Sequence, residues 1–144
     1  MVEQDTIRLM RECDAGIKMG ISSINDVLEY VKSEGLKKCL TDCKTAHQEL
    51  EQELQTMLRD YHDEGKQPNI MAKSMSWVKT NMKMAVDSSD QTIADLMTDG
   101  CNMGVKFLNK YLNQYEAASE KVKDIAKRLI KLEEKLTMDI QKFL

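Results

Sequence analysis

Proline occurs once and glycine six times in 144 residues, too few of either to punctuate a succession of short strands, so the chain reads as helical rather than sheet-forming. Single-sign charge blocks are missing too. The 21 basic and 24 acidic residues are interspersed, the net charge is -3 and the pI is near 5.5, and no nucleic-acid footprint is expected from such a balance. No run approaches the roughly 18 apolar residues of a membrane span. Glu3, Gln4, Asp5 and Arg8 stand where the apolar segment of a signal peptide would begin, so the expectation is a cytoplasmic chain with no transmembrane segment. A glycine-rich phosphate loop is lacking, because Gly100 and Gly104 fall inside a helical pattern. The four cysteines, Cys13, Cys39, Cys43 and Cys101, also lie within helical patterns, where reduced, buried thiols are the ordinary outcome.

What the sequence does contain is heptad order. Leu36, Leu40, Cys43, His47, Leu50, Leu54, Met57 and Tyr61 follow one another at spacings of four and three, and an apolar stripe of this length is buried only by other helices of similar length. Ile7, Met10, Asp14, Ile17, Ile21, Ile24, Leu28 and Val31 form an earlier series. Asp5 or Thr6 is expected to cap its start, and Gly35 to end it in a left-handed conformation. Two such helices joined by a tight turn are antiparallel neighbours.

Gly65 and Pro68 end the second helix, and Asn69 can cap a shorter one in which Met71, Met75, Val78 and Met82 share a face beside Trp77. Adaptable packing is the ordinary role of that methionine stripe, with a methionine copper site or membrane-surface packing as alternatives. Ser88 with Gln91 has the spacing of a capping box. The third long helix then shows Ile93, Met97, Gly100, Gly104, Phe107 and Tyr111 on one stripe, and the two glycines, each costing about 1 kcal/mol relative to alanine, imply a closely approaching neighbour. Val122, Ile125, Leu129, Leu132, Leu136 and Phe143 mark the fourth, with Asp124, Glu133 and Asp139 assigned, among lysines, to its solvated face.

Tyr111, Tyr115, Ala118 and Val122 keep heptad phase across the last junction, so residues 88–144 could form one very long rod paired with a second chain. A turn at about Asn113 to Glu116 is preferred, because it yields four major helices of similar length. The expectation is one all-α domain over residues 1–144, an antiparallel four-helix bundle with helices over about 5–33, 36–64, 88–113 and 116–143. A crossover with a short helix over 69–85 would join the second to the third.

Two helices, a long crossover and two more helices is the ferritin-like plan. The stretches Ile7 to Gly20, Leu36 to Leu54, Ser76 to Lys79 and Ile93 to Leu112 resemble a small bacterial ferritin-like family of unknown function, over about residues 7–112. The resemblance implies a superfamily whose best-known members hold two iron or manganese ions between carboxylates and Glu-x-x-His pairs. The sequence departs from that recipe. His47 and His62 are its only histidines, and Lys44 and Arg59 stand three residues before them. Gln52 follows Glu49 where histidine would be needed, and Thr98 and Cys101 stand where the related family tends to carry Glu.

His47 and Asp14 are therefore the polar residues to explain. Both are expected as hydrogen-bonded core groups that fix helix register, with Tyr111 a possible donor to Asp14. They lie too far apart along the axis to form an acid/base dyad, and Cys43 with His47 only begins a catalytic constellation. In the ferritin-like arrangement Asp99 and Cys101 come near the height of His47, so Cys43, His47, Asp99 and Cys101 are the candidate metal ligands, for zinc, iron or manganese. No cofactor or catalytic residue is otherwise expected. The reading is an interaction or assembly protein, self-associating as a homodimer or binding a helical partner. The rival is a metal- or small-ligand-binding protein with possible redox chemistry.

Overall fold

The computed structural model describes residues 2–66 and 88–144, and among them every regular element is helical. Helix α1 spans Val2–Leu28, α2 Glu34–Asp60, α3 Asp90–Gln114 and α4 Glu120–Asp139, and a 3-10 turn at Gln141–Phe143 ends the chain. The short helix expected over 69–85 lies outside the described residues.

Serine fixes three of the four helix starts. Ser33, Ser89 and Ser119 each hold an extended backbone and accept, through the side chain, the N–H three residues on, at Leu36, Thr92 and Val122. Those amides have no partner inside the first turn, so a short side-chain oxygen there stabilises the start by about 1 kcal/mol. The cap of α3 is therefore Ser89, not Ser88. Ser119 decides the last junction as well: α3 stops at Gln114 and α4 begins at Glu120, so the C-terminal half is two helices and not one rod. Gly35 does not end α1. It sits in the first turn of α2, and among the described residues positive φ occurs at His62 and Gly65, beyond the end of α2.

Each hairpin turn is held by the other hairpin. The Asp90 carboxylate accepts the Lys32 and Ser33 N–H groups, both at 2.9 Å. At the opposite end Asp5 accepts the N–H of Ala117 and the Thr6 hydroxyl that of Ser119 at 2.8 Å. Asp5 and Thr6 thus serve the α3–α4 turn rather than capping α1, which already begins at Val2. These contacts set the helix directions: α3 starts beside the start of α2, and α1 starts beside the start of α4. Consequently α2 runs parallel to α3 and antiparallel to α4, and the end of α2 lies at the opposite end of the bundle from the start of α3.

The stripes pack much as their spacing requires. Leu36, Leu40, Cys43, His47, Leu50 and Leu54 of α2 are all buried, but at its end Leu58 is buried in place of the half-buried Met57 and exposed Tyr61. On α1 the buried face is rotated toward Leu9, Cys13 and Val27, leaving Ile7, Ile21 and Leu28, with Val31 beyond the helix end, partly exposed. The rotation follows from α1 packing against all three other helices, which a single a/d seam cannot serve.

Apolar packing is not continuous along the axis. One cluster includes Ile24, Leu40, Met97 and Leu136, and the other Ile17, Leu50, Leu108 and Leu129. Between them every helix carries a polar or minimal residue.

Candidate functional site at the polar layer

That gap is a layer built from Gly20 of α1, His47 of α2, Gly104 of α3 and Glu133 of α4. His47 is 1% exposed. Its Nδ1–H donates to the carbonyl oxygen of Cys43, one turn earlier, at 2.8 Å, which fixes the ring and directs Nε2 across the bundle. There Nε2 meets Glu133 Oε1 at 2.9 Å. Gly20 makes the crossing possible, since a Cβ on it would stand 2.8 Å from Nε2 and 2.9 Å from Cδ2 of the ring. Gly104 faces the other side of the carboxylate, where a Cβ would lie 3.7 Å from Oε2. The spacing implied a closely approaching neighbour helix at both mid-helix glycines, but a Cβ at 104 would make only an ordinary contact with the Glu133 side chain, so packing there does not demand glycine. At Gly100 no described atom comes within 4 Å of the Cβ position.

Both ring nitrogens face oxygen acceptors, a pattern that the doubly protonated imidazolium satisfies. Burial works against the charge, yet the side chains of Cys43 and Glu133, by hydrogen bonding and by charge, prevail, and the His47 pKa rises to about 10. The layer therefore holds a charged, hydrogen-bonded pair, with Glu133 only 13% exposed. Burial, reinforced by Glu133, drives the Cys101 thiol far above its usual range, and burial pushes Cys13 up to about 12. Thiols so protected do not act as nucleophiles. Cys43 Sγ lies 3.5 Å from Nδ1, but that nitrogen already donates to the Cys43 carbonyl and is no base for the thiol.

Of the four ligand candidates, Cys43, His47 and Cys101 are buried in this region and Asp99 is exposed on α3. Equal height did not mean equal direction: Cys101 is two residues on, about 200° around the helix. The residue missed was Glu133, assigned to the solvated face of α4. Its signal was its position four residues after Leu129 and three before Leu136, on the buried stripe.

A second polar cluster surrounds Asp14, which is fully buried. Its carboxylate accepts from Lys18 Nζ at 2.8 Å, from Gln55 Nε2 at 3.0 Å and from the backbone N–H of Lys66 at 3.0 Å. Gly65, at φ +82°, brings the chain over this carboxylate, and any Cβ there would collide with Asp14 Oδ2. Arg11 pairs with Asp63, and Lys66 Nζ with Glu12 at 2.7 Å, so the segment leaving α2 is fastened to α1. Tyr111 is not the partner of Asp14; it faces Glu12, and burial together with that carboxylate raises its pKa.

The donor set does not fit a two-metal centre. One imidazole is available in the interior, both its nitrogens are engaged by protein oxygens, and His62 is exposed beyond the end of α2. Among the described residues no group of three or more His, Cys, Asp or Glu is arranged to hold a metal ion, and no helix is long and apolar enough to cross a membrane. Compared with protein-family models, with curated proteins and with solved structures, the chain matches none.

Proposed function

We propose that the chain is a ferritin-like bundle without a working two-metal centre, acting through its surface as an interaction or assembly protein and associating with a second copy of itself. The observation that carries this reading is the mutual satisfaction of the interior polar groups. His47 is held between the Cys43 carbonyl and Glu133, and Asp14 among Lys18, Gln55 and Lys66. Groups so engaged lock helix register and leave little to recognise a substrate. The parallel course of α2 and α3 supports the ferritin-like assignment. Tyr30, Met138 and Leu144, at 43%, 70% and 51% exposure, lie at the end of the bundle where Phe143 meets Gly35 and offer apolar surface for association. Light scattering over a dilution series tests the reading: a dimer is expected, and a monomer at every concentration overturns self-association.

The rival reading is a metal- or small-ligand-binding protein with its site near Cys43, His47, Asp99 and Cys101, of which Cys43, His47 and Cys101 are buried. Elemental analysis of protein purified without added metal separates the two. About one equivalent of zinc, iron or manganese supports the rival, and less than about a tenth removes it.

A further inference from the structure

Glu51 carries a buried carboxyl oxygen that its ionised form cannot satisfy. Glu51 lies on α2 one turn before Gln55, and its Oε1 accepts from Gln55 Nε2 at 2.7 Å. Its other oxygen, Oε2, is buried with no donor in reach. The neighbouring group is the Asp14 carboxylate, itself an acceptor already facing Lys18, Gln55 and Lys66. Two carboxylates placed together in a dry site repel, whereas a carboxylic acid beside a carboxylate supplies the missing donor.

We propose that Glu51 and Asp14 share a single proton, carried by Glu51, and that this proton latches the segment leaving α2 onto α1, so that its release favours an open segment. The latch is the Lys66 N–H on Asp14, reached only because Gly65 adopts positive φ. With Glu51 protonated, Asp14 is the sole negative charge of the pair and is balanced by Lys18. When Glu51 gives its proton to solvent, the pair carries two negative charges against one lysine, and separating the carboxylates relieves the repulsion. Burial and Asp14 together raise the Glu51 pKa to about 8, against the lowering influence of Gln55 and Lys18.

Charged and titratable groups of three helices surround the pair. On α1, Lys18 faces Asp14, Glu12 holds Lys66 Nζ, Arg11 holds Asp63, and Cys13 stays a neutral thiol through the window concerned. From α3, Tyr111 faces Glu12, its pKa raised above the phenol range. On α4, Arg128 is engaged by Glu53 and Asp124. Glu51 is thus placed to change charge between mildly acidic and mildly alkaline pH.

The sign follows from linkage. An acid whose pKa is raised in the closed form holds its proton there and loses it on opening. Opening therefore becomes easier as pH rises from the ordinary Glu range, by up to about tenfold per pH unit, and levels off above about 8. Amide exchange of the full chain, followed by NMR at Lys66 and Gly65 from pH 5 to 9 and expressed as protection factors, tests this. The Lys66 amide is expected to lose at least about tenfold in protection across the window while the Leu54 amide holds constant. In Glu51→Gln, whose amide donates to Asp14 at every pH, the Lys66 protection is expected to be flat. A flat wild-type profile, or an equal fall in Glu51→Gln, overturns the proposal. Should Glu51→Gln fail to fold, carbon-13 titration of the Glu51 carboxyl in the wild-type chain decides. A midpoint near 8 sustains the shared proton, and one below 6 refutes it.

Discussion

His47 and Glu133 are 86 residues apart in the chain and meet through Nε2 and Oε1 at 2.9 Å, in a layer that separates two apolar clusters. A charge pair in this position is demanding. Removing one partner strands the other in a dry site, while replacing both with apolar side chains removes the demand altogether. His47→Ala is expected to lower stability by about 3 kcal/mol or more, and Glu133→Gln, which keeps an acceptor for Nε2–H, by about 1–2 kcal/mol. The double change His47→Leu with Glu133→Leu should cost less than the sum of its two single changes. Urea denaturation of the wild-type chain, the two single leucine variants and the double variant measures the coupling.

The same pair imposes a pH dependence. The folded pKa of His47, about 10, lies above its ordinary value of 6.5. Its stabilising contribution is therefore complete below pH 6.5 and is lost as pH rises from there through about 10. The urea midpoint of the wild-type chain should fall over that interval, and the part of the fall due to this pair should vanish in His47→Gln.

Gly20 and Gly16 are one turn apart on α1 and should respond in opposite directions. A Cβ at Gly20 meets the His47 ring at 2.8 Å, and the ring is held at both nitrogens, so Gly20→Ala should destabilise by about 1–3 kcal/mol. A Cβ at Gly16 makes only an ordinary contact with Leu129 at 3.6 Å. Gly16→Ala should then gain the helix-propensity difference, up to about 1 kcal/mol. Thermal melts of the two variants make the comparison.

Asp90 takes two backbone N–H groups of the α1–α2 turn on its two carboxylate oxygens. Asp90→Ala removes both acceptors and should cost about 1–3 kcal/mol. Amide exchange at Lys32 and Ser33 should quicken with it, while exchange at Ala117 and Ser119, held by Asp5 and Thr6 at the other end, should not.

Gly65 has a backbone that L side chains adopt at a cost, and the Asp14 carboxylate occupies the place of its missing Cβ. Gly65→Ala is expected to destabilise by about 1–3 kcal/mol and to loosen the Lys66 amide at every pH, distinguishing steric loss from proton release.

By itself the sequence determined the class of the fold and much of its interior. Seams with a period of three and four residues marked most of the inward face of α2 and α4, whereas on α1 and α3 packing turned the buried face toward Leu9 and Cys13 and toward Cys101 and Leu108; polar residues interrupting the seams at Asp14 and His47 announced interior polar groups. These are local properties, since period and position along one helix are written within a few turns of chain. Tertiary structure decided who meets whom. Asp99 and Cys101 are two residues apart, and only the packing of α3 against its neighbours exposes the one and buries the other. Glu133 looked like one more charge on a lysine-rich helix until the glycine gap at position 20 let His47 reach it across the bundle. Partner choice between helices depends on rotation and height to within a few ångströms, and no single helix encodes either quantity for another.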